Sequence, residues 1–272
     1  MTWKLNQEIK KLPTLKNAIL VEGLPGIGNV GKIAVDFIID KINAKKIYDI
    51  TSNTMPHSVF VNEDNLIDMP CIELYYKKTV GAAPDLLLLS GDVQPTDEVA
   101  CHEFCNKILE VALKFKIKEM ITIGGIGLQD VPKTPKVLCT ANDKKIITKY
   151  TKGTKLSNKI YGVVGPIVGA SGLLLGLAQK KNIPAIAILA ETISHPLYLG
   201  IKGSREILKV LIKKLKLKIN IKDLDKEIKS LEAEMVQKTK ELSQISKETA
   251  LKKIEGKFGK EVTYIGWFFM TF

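Results

Sequence analysis

Between about residues 17 and 215, short apolar runs alternate with stretches whose apolar positions recur every three or four residues. Residues 17–22 read as a buried strand, followed by a glycine-rich loop and a helix over 32–42. Residues 46–50 are the next strand, and 58–61 and 71–75 read as further strands paired as an antiparallel extension. The four consecutive leucines within 85–90 predict a strand covered on both faces. Thr96 is placed to cap a helix running to about Lys116, with Asp97 and Glu98 in its first turn, where the helix dipole favours acids. Residues 120–124, 137–140, 146–150, 159–164 and 184–190 read as strands, and 171–181 and 204–217 as helices. Alternation of this kind predicts an α/β fold: a mostly parallel mixed sheet with helices on both faces.

The pattern changes after Leu217. Ile221, Leu224, Ile228, Leu231, Met235, Leu242 and Ile245 keep a three-four spacing, interrupted at Lys238. About three heptads of this kind predict an amphipathic, coiled-coil-like helix ending near Gly256, which either docks on a partner or lies on its own domain. Beyond it, Tyr264, Trp267, Phe268, Phe269, Met270 and Phe272 crowd the last residues. Apolar side chains in water are unfavourable, so this tail is expected to pack down or to bind a partner. The expected organisation is a core domain over 1–217, the helix over 218–256 and the aromatic tail over 257–272.

Candidate chemistry starts in the first glycine loop. Gly26, Gly28 and Gly31 satisfy G-x-G-x-x-G between a strand and a helix, and Asp49 follows about 20 residues on, as in dinucleotide-binding units. The same loop also reads G-x-x-x-x-G-K through Lys32, but Ile33 stands where a phosphate-binding loop needs Ser or Thr. The competing reading needs no ligand: the glycines permit a tight turn and close strand–helix packing. Glu191, at the carboxyl end of a strand, occupies the place where open α/β sheets bind ligands. A nucleotide- or nucleoside-binding enzyme would therefore use Gly26, Gly28, Gly31, Lys32 and Glu191. Two further glycine-rich turns, 124–127 and 162–172, either line a crevice with the first or make a flat rigid face.

Cys101 and Cys105 share one helix face while His102 points away, so buried thiols are favoured over a zinc site. His57–Ser58 and Ser194–His195 are sequence neighbours facing opposite ways, which excludes a triad from either pair. No nucleophile–base or acid–base pair emerges, and neither a catalytic residue, a cofactor nor a metal is expected.

The 272 residues carry 41 Lys+Arg against 29 Asp+Glu, a net charge of +12, and Arg205 is the sole arginine. Sequence-specific nucleic-acid readers use arginine forks, so a lysine surplus points to solubility or to an acidic protein surface rather than nucleic acid. Many of these lysines fall between 209 and 260, interleaved with acids, as on the solvated side of a docking helix. The start of the chain has no signal-like apolar stretch, and the longest apolar run, 162–178, is broken by Pro166 and glycines. Neither a membrane span nor secretion is expected. Four scattered cysteines fit reduced thiols and a cytoplasmic location.

Several marks occur in a fixed order: 22–31 (EGLPGIGNVG), 91–95 (GDVQP), 123–125 (IGG) and 131–137 (VPKTPKV). Residues 162–175, 188–192 (ILAET) and 204–206 (SRE) complete them. Together they resemble the archaeal proteasome assembly chaperone family, homologues of the eukaryotic proteasome assembly chaperones, over roughly residues 14–217. The resemblance implies a three-layer α/β sandwich similar to purine nucleoside phosphorylases and no established catalysis. It also implies self-association and binding to the α-ring face of the proteasome core particle or its precursors. In that family a terminal hydrophobic-Tyr-X tripeptide inserts between α subunits; here the chain ends Met270-Thr271-Phe272, with threonine in the tyrosine's place.

Overall fold

The computed structural model describes residues 2–130, 132–160, 162, 165–195 and 198–220. In chain order it runs β1 (Lys4–Gln7), β2 (Ile19–Gly23), a single 3-10 turn (Ile27–Asn29), α1 (Val30–Lys41), β3 (Lys45–Thr51), β4 (Phe60–Val61), β5 (Ile67–Asp68), β6 (Ile72–Lys77) and β7 (Leu86–Gly91). Then follow α2 (Glu98–Lys114), β8 (Glu119–Leu128), β9 (Val137–Ala141), α3 (Lys144–Thr151), α4 (Ala170–Lys180), β10 (Ala185–Ile193) and α5 (Ile201–Leu215).

Eight strands form one sheet in the order β1-β3-β6-β7-β2-β8-β10-β9. The central four, β7-β2-β8-β10, are parallel. The flanking pairings β1/β3, β3/β6, β6/β7 and β10/β9 are antiparallel. The expectation of a mostly parallel sheet is thus corrected: the parallel part is the centre, and antiparallel strands extend it on both sides. Only eight residues join β6 to β7, too few for the crossover that a parallel pair needs.

Alternation along the strands sorts the helices into two outer layers. Leu20, Leu87, Leu89 and Met120 point to one face and join Phe104, Ile108 and Leu174 of α2 and α4 in a single buried cluster. Val21, Leu88 and Ile121 point to the other, where α1 and α5 pack. Every residue of β2 and β7 is buried, as the continuous apolar runs require. The strand β1 was not anticipated from its polar sequence, KLNQ. It is held by its pairing with β3 and by Trp3, whose ring meets Phe104 at 4.9 Å and whose Nε1–H donates to the Ala100 carbonyl.

Two further expectations are corrected. Residues 146–150 lie in helix α3, not a strand: Asp143 accepts the Lys145 N–H as its N-cap, and Ile146 and Tyr150 are buried one turn apart. Lys159 and Ile160 lie in no strand; the edge of β9 is met instead by Ser157, through Cys139 N–H to the Ser157 carbonyl and Ser157 N–H to the Val137 carbonyl. The helix expected over 218–256 lies beyond the described residues except for 218–220, and the tail over 257–272 lies wholly outside them. Among the described residues no helix is long and apolar enough to cross a membrane.

Candidate functional site

The parallel strands end together at one edge of the sheet, and the loop after β2 lies across it. Two glycines of the predicted phosphate fingerprint are there for contact with protein. Gly28 has φ +64°, and a Cβ on it would lie 2.7 Å from Thr192 Oγ1. Its carbonyl also accepts the Gly200 N–H at 2.6 Å. A Cβ on Gly31 would lie 2.5 Å from the Ile123 carbonyl oxygen, so only glycine lets α1 approach β8 this closely. From the opposite side Gly125 takes the Ile27 carbonyl at a distance that leaves no room for a side chain. The loop is thereby pressed onto the ends of β8 and β10. Gly26 differs: it is extended, and nothing lies within 4 Å of the position its Cβ would take.

Lys32 is held inside the protein's own network. Its Nζ sits 3.0 Å from Asp36 and 3.1 Å from Asp92. Burial works against its charge, but these two carboxylates outweigh burial and leave its pKa above the ordinary value. Asp92 in turn accepts the backbone N–H and the thiol of Cys71 at 3.2 and 3.1 Å. Burial would raise the Asp92 pKa, yet Cys71 and Lys32 together hold it low. The Cys71 thiol is pushed up to about 12, first by burial and then by Asp92. Around this core Ser90 donates to Asp36, Tyr75 donates to Glu73, and Lys46 pairs with Glu73 at 2.7 Å. The cluster ties α1 to β3, β6 and β7; a thiol held this far up is no nucleophile.

Glu191 lies elsewhere, at the end of β10, where its Oε2 accepts the Lys136 N–H at 2.9 Å. Lys32 is anchored at the end of β7 and Glu191 at the end of β10, three strand spacings along the sheet, or about 14 Å. The fold therefore does not bring Lys32 and Glu191 together around one ligand. Asp49 is also displaced: β3 is separated from β2 by β6 and β7, whereas a ribose-binding acid belongs on the neighbouring strand.

On the α2/α4 side of the same edge, Glu22 is fully buried. Its Oε1 accepts the Leu24 N–H at 3.0 Å and the Ser171 hydroxyl at 3.1 Å, while its Oε2 has no hydrogen-bond partner. Thr122, its register partner on β8, also has an unpaired buried hydroxyl. Burial pushes the Glu22 pKa up to about 7, against the pull of Leu24, Ser171 and the backbone of Ile123. Gln94 fastens the loop above it, donating to the Pro25 carbonyl at 2.7 Å and accepting the Ala170 N–H at 3.2 Å. Glu22, Asp36, Ser90 and Gln94 were not singled out from the sequence. Glu22 carried a signal, a carboxylate ending an otherwise apolar strand run.

The remaining candidates are placed more simply. Cys101 and Cys105 are buried on α2, with the Cys105 thiol 3.8 Å from the Ala170 carbonyl, and His102 is exposed. Among the described residues no three His, Cys, Asp or Glu side chains gather as a metal would require. His57 and Ser58 are exposed at the foot of the β4–β5 hairpin. Tyr264, Trp267, Phe268, Phe269, Met270 and Phe272 lie outside the described residues.

This sequence is similar to known ones over about four-fifths of its length. An uncharacterized protein of Methanocaldococcus jannaschii is 27% identical over 223 residues, covering 82% of this chain and 83% of that one. The crystal structure of Pyrococcus furiosus PbaB, an archaeal proteasome activator, superposes with a TM-score of 0.78 at 29% identity, covering 88% of this chain and 99% of that one. Pyrococcus furiosus PbaA, an archaeal homolog of proteasome-assembly chaperone, gives a TM-score of 0.70 at 22% identity over 95% and 100%. The model of the PAC2 family matches residues 20–239, about four-fifths of the chain and all the elements from β2 onward. The chain belongs to the PAC2 family.

Proposed function

We propose that this protein acts on the proteasome as an assembly chaperone or activator and catalyses no reaction. The observation that carries this reading is the similarity to PbaB, which spans 88% of this chain and 99% of the activator. The geometry of the sheet edge is consistent with it. The loop that would cradle a nucleotide is packed on Thr192 and Gly200, and its lysine is engaged by Asp36 and Asp92. In this reading the protein works in the cytoplasm as a homo-oligomer on the α-ring face of the core particle or its precursors. The aromatic tail, Tyr264 to Phe272, supplies the contact, and several copies of a weak anchor multiply through effective concentration.

The test is capture of proteasome core particle on immobilised protein, comparing the full chain with one ending at Gly266. Capture by the full chain and loss on truncation are expected. Equal capture by both removes the tail from the mechanism, and no capture by either removes the proteasome role. The competing reading, a nucleotide- or nucleoside-binding enzyme built on Gly26, Gly28, Gly31, Lys32 and Glu191, makes a separate demand. A ligand present at 100 times its dissociation constant would add about 2.7 kcal/mol of stability. A melting screen with nucleosides, NAD and ATP is expected to show no shift, and a clear shift with any of them would restore the enzyme.

A further inference from the structure

The hairpin formed by β4 and β5 is well built and leaves its large apolar side chains exposed. Phe60 pairs with Asp68 and Val61 with Ile67. At the turn the Asn62 side chain accepts the N–H groups of Asp64 and Leu66 and donates to Asp68, while Asn65 adopts a left-handed φ of +59°. Alternation puts Val61 and Ile67 on one face together with Val59 and Met69. These four are 48–74% exposed, and Phe60 and Leu66 on the other face are 45% and 63% exposed. None of the six belongs to the buried core. A two-stranded hairpin is marginal in water without an apolar face to cover, so an ordered hairpin with a bare apolar face is a surface awaiting a partner. The four side chains of that one face leave on the order of 400 Å², within the range for a monomer's largest patch and about half of the ~800 Å² each side of a stable interface contributes.

Charge indicates which partner. The hairpin sits in a stretch of thirty residues, 47–76, without a single lysine or arginine in a chain of net charge +12. Its exposed acids are Glu63, Asp64 and Asp68. Two such hairpins facing each other would set three acids against three. At the far end of the sheet, beside β9 and α5, lies an open groove of about 850 Å³. Its lining includes Leu138 and Val210, and five lysines: Lys136, Lys155, Lys159, Lys209 and Lys213. Against them stand Glu191 and Glu206, leaving a surplus of three positive charges that matches the hairpin's three acids. The hairpin springs from between β3 and β6, whereas the groove borders β9, so five to six strand spacings, about 25–30 Å, separate them. One copy's hairpin therefore does not reach its own groove.

We infer that the β4–β5 hairpin of one copy docks into the lysine-lined groove beside β9 of a second copy. This rests on the homo-oligomer stated under the proposed function and supplies its interface. The contact is heterologous: each copy offers a hairpin to one neighbour and a groove to the other, so copies join head to tail and a ring results where the rotation closes. Attraction between the acidic tip and the lysines sets the register and speeds encounter, and the apolar face supplies the contact area.

Two variants of the full chain test it: Ile67→Asp in the hairpin, and Lys155→Glu with Lys159→Glu in the groove. All three positions are on the surface, so melting temperatures are expected to stay within a few degrees of the parent chain, and Met69→Lys serves as a second hairpin variant. Native mass measured by light scattering is expected to fall from an oligomer to the 30.1 kDa monomer in each variant alone. Mixing the hairpin variant with the groove variant is expected to restore a species of twice that mass and nothing larger, because one intact hairpin then meets one intact groove. An oligomer that survives the hairpin variants, or a mixture that stays monomeric, overturns the inference. So does a groove variant whose native mass is unchanged from the parent chain. A parent chain that is monomeric at every concentration removes self-association itself. Failure to capture proteasome with the oligomer intact removes the proposed function and leaves the interface standing.

Discussion

Replacing Glu22 by glutamine isolates the energetic consequence of a carboxyl buried with one oxygen unpaired. Glutamine has nearly the same shape, keeps an acceptor for Leu24 and Ser171, and has no proton to titrate in this range. The Glu22 carboxyl titrates near 7 in the folded chain against 4.5 for an unperturbed group. At about 1.4 kcal/mol per tenfold, that difference corresponds to about 3 kcal/mol. The sign follows from which state holds the proton. Between pH 4.5 and 7 the folded chain keeps a proton that the unfolded chain has lost, so this contribution is full below pH 4.5. It drains away as pH rises, and is gone above about 7. Other carboxylates titrate over the same range, so the informative quantity is the parent stability minus that of Glu22→Gln. Urea unfolding followed by circular dichroism from pH 4 to 8 is expected to show that difference falling by about 3 kcal/mol. A difference that stays flat to within about 0.5 kcal/mol would show that the side chain is hydrated or relocated and would refute the reasoning.

The first glycine loop gives a paired prediction. Gly28→Ala puts a methyl group against Thr192 Oγ1 at a left-handed φ and is expected to cost about 1–3 kcal/mol by urea unfolding, whereas Gly26→Ala, in open space, is expected to change stability by less than about 0.5 kcal/mol. Equal effects would mean that the loop is not seated as described. Burial raises the Cys71 thiol to about 12 and the Cys139 thiol to about 11. Alkylation mapped by mass spectrometry at pH 8 is expected to run at least a hundredfold slower at these two than in urea-unfolded chain, and rapid labelling of either in the native protein would contradict their placement.

The fold was legible where a signal is local. Four leucines in a row mark β7 wherever they fall, and Asp97 at the start of α2 does its capping through the Ala100 N–H, one residue from the expected Thr96. Residues 146–150 misled because Ile-Ile-Thr-Lys-Tyr has β-forming composition. The Asp143 cap and the Tyr150 hydroxyl, which donates to Glu119 on β8, favour the helix instead. The loop over 24–29 was readable as strand, turn and helix. What its glycines are for depends on Thr192 and Gly200, some 170 residues away, and no spacing rule connects them. Lys32 read alone is a phosphate ligand; with Asp36 and Asp92 beside it, it is a tie between α1 and β7. The acidic, lysine-free stretch around the hairpin was legible as composition, but the lysine groove that answers it is assembled from four separated segments.

The position of β2 at the centre of the sheet has a consequence for how the chain comes off the ribosome. This strand and α1 are made early, yet β8 reaches β2 only after residue 119, and α5, which packs on α1, only after residue 201. The Ser204 hydroxyl, 174 residues downstream, closes on the Val30 carbonyl at the first residue of α1. At roughly 5–20 residues per second, Val30, whose side chain lies against Gly200 and Gly203 at the start of α5, waits on the order of ten seconds or more for the helix that covers it. During that time the nascent N-terminal half carries an apolar helix face and an open strand edge. Folding is therefore expected to be slow and completed late, with the last elements synthesised closing over the first.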